Sequence, residues 1–462
     1  MKPILLVDFG STYTKVTAVD LDENAILGTE ASFTTVATDI NEGLNHALTK
    51  MQEKTGPLEF EETHACSSAA GGLKMIAIGL VPELTVQAAR EASLGAGAKI
   101  MKTYSYQLTR GDVREINALE PDIILLTGGT DGGNSECILH NAERLTGLEK
   151  DVPIVLAGNR CCADECEDIL EGRQVYPCEN VMPAFGQLNI GPTQQIIRDI
   201  FLKQIVQGKG LTKASSLMSD IIMPTPSAML EAMKLLADGT KEESGVGGLI
   251  GVDLGGATTD VYSIASGSPT SMKTVYKGIP EPYAKRTVEG DIGMRYSIRG
   301  IQEAVGVETL AEISGLTMDK VTDGITYLET YKDTIPFNED LIQLDYALAA
   351  GAVKTAVMRH AGTIEQVYTP MGETYVQTGK DLRDVTNIIV TGGALIHAKD
   401  VVSIASYAMY DPDEPSSLRP EHARVWVDER YILAAMGLLS RKYPQAALEI
   451  MKREITNYGI KK

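Results

Sequence analysis

"VDFGSTYTKV", residues 7–16, and "VDLGGATTDV", residues 252–261, are one phrase written twice at an offset of 245. Five positions coincide: Val7/Val252, Asp8/Asp253, Gly10/Gly255, Thr14/Thr259 and Val16/Val261. In each copy an apolar run ends in an aspartate, crosses a corner of glycine and hydroxyls, and returns as a second apolar run, which predicts a hairpin. In the first copy Ile4, Leu5, Leu6 and Val7 lead in, and Val16, Ala18 and Leu21 lead out. Gly10 permits close backbone approach, while Ser11, Thr12 and Thr14 set donors beside free backbone N–H groups, making a concavity suited to phosphate. An aspartate there repels phosphate unless a divalent cation bridges the two. Asp8 and Asp253 therefore point to a metal–nucleotide site, although Asp-x-Gly-Ser is also ordinary turn chemistry. Two hairpins of one design predict two similar domains.

The chain between the copies has a different rhythm. Residues 99–104 read as a strand, 109–119 as a helix capped by Thr109, 123–127 as a strand running into "GGTDGG", and 134–145 as a helix. Residues 153–157, 163–170 and 175–176 continue as strand, helix and strand. This alternation predicts parallel βαβ units, hence a doubly wound unit over residues 81–183 inserted into the first domain. Ligands of such sheets bind at the carboxyl ends of the strands, which makes "LTGGTDGG" a candidate loop. A tight turn that simply needs glycine explains the same residues. Helices follow at 192–206 and in "SAMLEAMKLLADG", with Ser227 as N-cap and Gly239 as its end. A meander, a helix around residues 347–362, the strand-turn "NIIVTGGALI" (387–396), a surface loop at 411–421 and a last apolar helix at 431–440 complete the pattern.

At 462 residues, two or three domains are expected. No leader and no bilayer-spanning stretch is read, so a cytoplasmic protein is expected. A net charge of −20 opposes nucleic acid and anionic membranes as partners. Six cysteines, Cys66, Cys137, Cys161, Cys162, Cys166 and Cys178, form no Cys-x-x-Cys pair. "RCCADEC" puts Cys162 and Cys166 on one helical face, which fits a metal or redox role less well than simple burial.

A third glycine corner, Thr391-Gly392-Gly393, follows an apolar strand and could let adenine and ribose lie against bare backbone. If the two hairpins face each other across a cleft, Asp8 and Asp253 hold Mg²⁺ and the phosphates between them, as one or two carboxylates commonly do.

These motifs, in this order, resemble the actin / Hsp70 / sugar-kinase superfamily. The fold that the resemblance implies is α/β: an actin-like ATPase of two duplicated ribonuclease H-like domains around a nucleotide cleft, with an inserted doubly wound α/β subdomain. The implied boundaries are 1–80 with 184–245 for the first domain, 81–183 for the insert, 246–430 for the second domain, and 431–462 for a connecting helix and tail. Gly10, Ser11, Thr12 and Lys15 fall in the first phosphate motif, Lys15 in the place of a phosphate-binding lysine. Gly255, Gly256, Ala257 and Thr258 fall in the second, Thr391, Gly392 and Gly393 in the adenosine motif, and Glu289 is a further nucleotide contact. Asp8, Asp253 and Asp260 are the implied catalytic acids, with Asp8 and Asp253 on Mg²⁺. "MPTPSAMLEAMKLLADG" resembles the first connecting helix.

Within the superfamily the chain most resembles the MutL family associated with glutamate mutase, unrelated to mismatch repair. "ACSSAAGGLKM" (65–75), "LLTGGTDGGN" (125–134) and "VEGDIGMR" (288–295) carry this part of the likeness. It implies an ATP-binding, chaperone-like reactivating factor for an adenosylcobalamin-dependent mutase of the glutamate mutase or aminomutase type. Its partners would be the mutase subunits and a second copy of itself in a homodimer, its cofactors ATP or ADP with Mg²⁺. One departure matters. Where Hsp70-like members carry an acid before Pro-Thr, this chain has Met223. Methionine cannot position or deprotonate water, so slow basal hydrolysis is expected. A small-molecule kinase, an actin-like scaffold and an iron–sulfur electron activator are the alternatives within the fold.

Overall fold

The structure is a computed structural model, and it describes residues 2–10, 13–33, 40–68, 73–82, 87–88, 91–92, 98–208, 220–370 and 372–460. The chain divides into two compact units, residues 1–229 with 437–439 and residues 230–436 with 440–462.

In the first unit β1 (Pro3–Phe9) is buried along its whole length, as its apolar run requires. It pairs antiparallel with β2 (Tyr13–Asp20), which pairs antiparallel with β3 (Ala25–Phe33). On its other side β1 pairs parallel with β4 (Glu62–Ser67). The chain then leaves to build a separate sheet from β5 (Leu73–Gly79), β6 (Ala98–Ser105), β7 (Ile123–Leu126), β8 (Ile154–Leu156) and β9 (Val175–Pro177), all parallel in the order β6-β5-β7-β8-β9. This is the doubly wound pattern, and its first strand, β5, lies ahead of residue 81. The chain returns as β10 (Asp220–Pro224), parallel to β4, giving the order β10-β4-β1-β2-β3.

The second unit repeats this plan. Here β11 (Leu249–Leu254) and β12 (Thr259–Ile264) form the hairpin, while β13 (Thr274–Lys277) belongs to a small three-stranded sheet. β14 (Ala284–Glu289) adds antiparallel to β12. β15 (Thr363–Thr369) and β16 (Gly372–Thr378) complete the small sheet. β17 (Asn387–Thr391) and β18 (Arg424–Val427) extend the main one in parallel, and β19 (Thr456–Ile460) closes its edge antiparallel. Three antiparallel strands followed by two parallel ones, in the order third-second-first-fourth-fifth, occur in both units. That shared order is the duplication of an actin-like ATPase fold.

The core of the second unit wraps the helix Glu339–His360, whose Asn338 side chain caps it by accepting from Leu341 N at 2.8 Å. Among the described residues it is one helix long and apolar enough to cross a membrane, contrary to the sequence expectation, but 67% of its most apolar window is buried. Its alanines and valines share one buried core with Val252, Ile298, Leu310 and Ile388, so its apolarity serves the core.

Three local expectations change. Helix Thr225–Asp238 begins two residues before Ser227, whose Oγ is buried without a partner among the described residues instead of capping the helix. Residues 411–421 do not all lie at the surface: Ser417, Leu418 and Arg419 are buried, with Arg419 paired to Glu414 at 2.6 Å. Helix Leu433–Ser440 is followed by a further helix, Pro444–Glu454.

The last residue of the core helix supplies a pH prediction. His360 is fully buried, its ring nitrogens 2.7 Å from Thr287 Oγ1 and 2.8 Å from Ser263 Oγ. Burial, with Lys285 and Lys380 nearby, pushes its pKa well below 6.5. The imidazole is therefore neutral when folded, and the unfolded chain binds the extra proton as pH falls below about 6.5. Stability is full above that value and drops by up to about 1.4 kcal/mol per pH unit beneath it. Urea unfolding at pH 7.5 and 5.5 checks this, and His360→Gln should flatten the dependence.

Candidate functional site

The two hairpins close in the same way. Gly10 N–H donates to Tyr13 O at 3.0 Å, and Gly255 N–H donates to Thr258 O at 3.0 Å. A Cβ on Gly10 would lie 2.6 Å from Tyr13 O, and one on Gly255 would lie 3.0 Å from Thr258 O. The first corner excludes a side chain at the matched glycine and the second crowds it, and the sequence repeat is a repeat of geometry.

In the first unit, strand register sets Asp8 opposite Lys15 on β2 and beside Cys66 on β4. Asp8 is buried, and its Oδ1 accepts from Thr225 Oγ1 at 2.6 Å and from Cys66 Sγ at 3.5 Å. Thr225 opens the helix that follows β10, where Pro224 ends the strand and Pro226 suits the first helical turn. Burial, and then the Asp8 charge, pushes the Cys66 thiol well above its ordinary pKa. It stays a protonated donor to the carboxylate. Met223 is fully buried on β10, in register with Cys66, so an apolar side chain stands where an acid was wanted. Ser11 and Thr12 lie outside the described residues.

In the second unit Asp253 faces Asp260 across the hairpin and Thr391 across β17. Gly256 and Ala257 are exposed at the tip. The Asp260 carboxylate is held by Arg286, with Nε at 2.7 Å and Nη2 at 2.5 Å. Burial works to lower the pKa of Arg286, but the Asp260 charge, Tyr262 and the hydrogen bonds to both together outweigh it and the net shift is upward. Glu289, next to Thr259 on β14, is paired with Arg359 at 2.5 Å.

A segment singled out only for its likeness, "VEGDIGMR", builds the wall of this corner. Met294 N–H donates to Gly255 O at 3.1 Å, and Arg295 and Tyr296 N–H both donate to Gly256 O, at 2.9 and 2.8 Å. Thr259 Oγ1 donates to Ile292 O at 3.0 Å, and a Cβ on Gly293 would meet the Ala257 carbonyl carbon at 2.3 Å. The Arg295 guanidinium is consumed by Met294 O, Asp345 Oδ1 and Thr334 O.

The third corner separates its two glycines. Gly392 has φ +103, and a Cβ there would lie 2.2 Å from Leu254 O, so the sheet itself requires this glycine. A Cβ on Gly393 would meet only Tyr431 Oη, at 3.2 Å. Thr391 is 2% exposed and its Oγ1 has no hydrogen-bond partner among the described residues. An orphaned hydroxyl one strand from Asp253 is costly unless something else completes it.

These features fit a nucleotide and a hard cation. Among the described residues no group of three or more His, Cys, Asp or Glu is placed to hold a metal alone. Mg²⁺ bound by one or two carboxylates needs phosphate and water for the rest of its shell. Each unit offers one such carboxylate at its corner, Asp8 in the first and Asp253 in the second.

Among the described residues of the insert, the candidate loop is held by its own hydrogen bonds. In the loop after β7, Gly129 has φ +71 and a Cβ on it would meet Asn134 O at 2.1 Å. Asn159 accepts from Gly132 N and Cys161 N, and Asn180 donates to Gly129 O and Asp131 Oδ1, so the loop is stapled to itself. Cys162 and Cys166 pack into the core of the insert, and burial pushes the Cys166 thiol up to about 12.

Among solved structures, the activator of 2-hydroxyisocaproyl-CoA dehydratase from Clostridium difficile with bound ADPNP is similar at 9% identity, 99% of each chain covered and TM-score 0.35. A xylulose kinase from Lactobacillus acidophilus is similar at 10% identity, with 100% of this chain and 93% of that one covered and TM-score 0.37. A glycerol dehydratase reactivase is similar at 10% identity, with 95% and 99% covered and TM-score 0.35. Protein MutL of Clostridium tetanomorphum is 47% identical over 458 residues, 98% of this chain and 99% of that protein. The family described as MutL protein matches residues 4–455. Matched by the family over residues 4–455 and 47% identical to one of its proteins along nearly the whole length, this chain belongs to the MutL family.

Proposed function

We propose that the chain binds Mg²⁺-ATP through its two aspartate–glycine corners and hydrolyses it slowly. We propose further that it uses the nucleotide state to act as a chaperone-like reactivating factor on an adenosylcobalamin-dependent mutase. The observation that carries the nucleotide reading is the repeated corner: the same acid, glycine and hydrogen bond in two sheets of the same order. In this reading Asp8 and Asp253 hold the ion, the glycine corners border the phosphates, and Thr391 with Gly393 borders the adenosine. Bound Mg²⁺ neutralises the phosphate charge that these acids would otherwise repel. Thr225 orients Asp8, and the apolar Met223 withholds a base from the attacking water, which keeps turnover low.

The mutase part rests on the family likeness in the sequence, with residues 81–183 as the partner-facing module. A slow switch suits such a role, since the nucleotide selects which state engages the partner. The experiment incubates the protein with a mutase inactivated by damaged cobalamin, in Mg²⁺-ATP, Mg²⁺-ADP or neither. Association that changes with the nucleotide, and release of the cobalamin only with ATP, is the expected result. Equal association in all three, or a protein that binds no Mg²⁺-nucleotide, would sink the reading.

A further inference from the structure

The second corner is short of cations. Asp253, Asp260 and Glu289 surround it, while Arg286 is committed to Asp260, Arg295 to Asp345 and two carbonyls, and Arg359 to Glu289. A polyphosphate arriving there meets acids whose positive partners are already engaged.

Lys332 is placed differently. It lies in the exposed turn after helix Met318–Thr330, and its Nζ sits 4.8 Å from the centroid of the Tyr296 ring. Tyr296 in turn lies against the corner: its N–H donates to Gly256 O at 2.8 Å, and an edge of its ring, Cδ2 and Cε2, is 3.6 and 3.8 Å from where a Gly256 Cβ would be. The turn is also tied down beside the corner, because Arg295 Nη2 donates to Thr334 O at 3.2 Å. The ammonium is thus parked on the aromatic ring that borders an exposed glycine; among the described residues it makes no ion pair, although its charge reaches Glu329 and, behind the Arg299 hydrogen bond, helps to lower that carboxyl's pKa. An exposed cation–π contact is weak, whereas a charge-assisted contact to phosphate is strong, so exchanging one for the other is favourable.

We propose that Lys332 is the cation this corner presents to the terminal phosphate of a nucleoside triphosphate, and that Tyr296 holds it in reserve. This rests on the nucleotide reading above and goes beyond it by assigning a residue that chooses triphosphate over diphosphate. Gly256 has no side chain to intervene, and a Cβ there would rest against the ring at ordinary contact distance.

Calorimetric titration of the full chain with Mg²⁺-ATP and Mg²⁺-ADP tests the assignment. Lys332→Met should weaken ATP by about tenfold and ADP by far less, lowering the ATP/ADP preference by about the same factor, while Lys332→Arg should restore it. Tyr296→Leu, which keeps the backbone bond and removes the ring that competes for the ammonium, should leave the ATP/ADP preference at or above the wild-type value. A wild-type chain that binds ATP with Lys332→Met matching it for both nucleotides would overturn the assignment alone. A wild-type chain that binds neither nucleotide would overturn it together with the nucleotide reading.

Discussion

Asp253→Ala is expected to lower affinity for Mg²⁺-ATP by about 100-fold, the equivalent of about 2.7 kcal/mol, while affinity for ATP in EDTA is unchanged or rises. The asymmetry follows from the role. A carboxylate beside a glycine corner repels bare phosphate and attracts it only through the ion, so removing it deletes a metal ligand and relieves a repulsion together. Asp253 is half-buried at the end of β11, and alanine fits the strand, so the melting temperature should stay within a few degrees. Titration with and without Mg²⁺ is the check. Equal loss in both conditions would mean that Asp253 shapes the corner without holding a cation.

Asp260→Ala should fail in another way. Its carboxylate is the partner of the buried Arg286, and removing one member of a buried pair leaves an uncompensated charge, at a cost of about 3–5 kcal/mol. The expected result is a large fall in the urea midpoint. Nucleotide turnover per folded molecule should change less than stability does. Asp260→Asn, which still accepts one N–H, should lie between wild type and alanine. A wild-type midpoint for Asp260→Ala would refute the structural role and return this residue to the chemistry.

The corners were legible because their chemistry is local. An acid, a glycine and a buried threonine within ten residues fix a hairpin whatever the rest of the chain does, and Thr14 and Thr259 are both fully buried as their match implies. The alternation of strands and helices in the insert was legible for the same reason, down to Thr109, whose side chain and Asp112 form a capping box. What could not be read were contacts made across long sequence separations. Thr225 meets Asp8 from 217 residues away, and its only local sign was a threonine between two prolines. Arg286, Arg295 and Tyr296 are ordinary surface residue types until the sheet places them on the second corner. The start of helix Thr225–Asp238 was misjudged because serine is a good cap in general, yet here the strand ends at Pro224 and the helix starts at once. Buried Arg419 was missed because a run rich in proline and charge normally stays in water, and only its pairing with Glu414 admits it.

The return of β10 to β4 governs how the first unit assembles. The strands β1, β2, β3 and β4 succeed one another closely, so their pairings can form soon after they are synthesised. The edge of β4 must wait until residues 68–219 have been made, because its neighbour β10 lies beyond them. Closing a loop of that length costs more entropy than any other pairing in this sheet, and non-local strand pairing slows folding. During translation the insert can fold on its own parallel sheet and draw the ends of that loop together, which shortens the search. Docking of β10 is then expected to be the slow step of this sheet, and it also delivers Thr225 to Asp8, so the first corner is completed only after the insert has been made although its own residues emerge from the ribosome first.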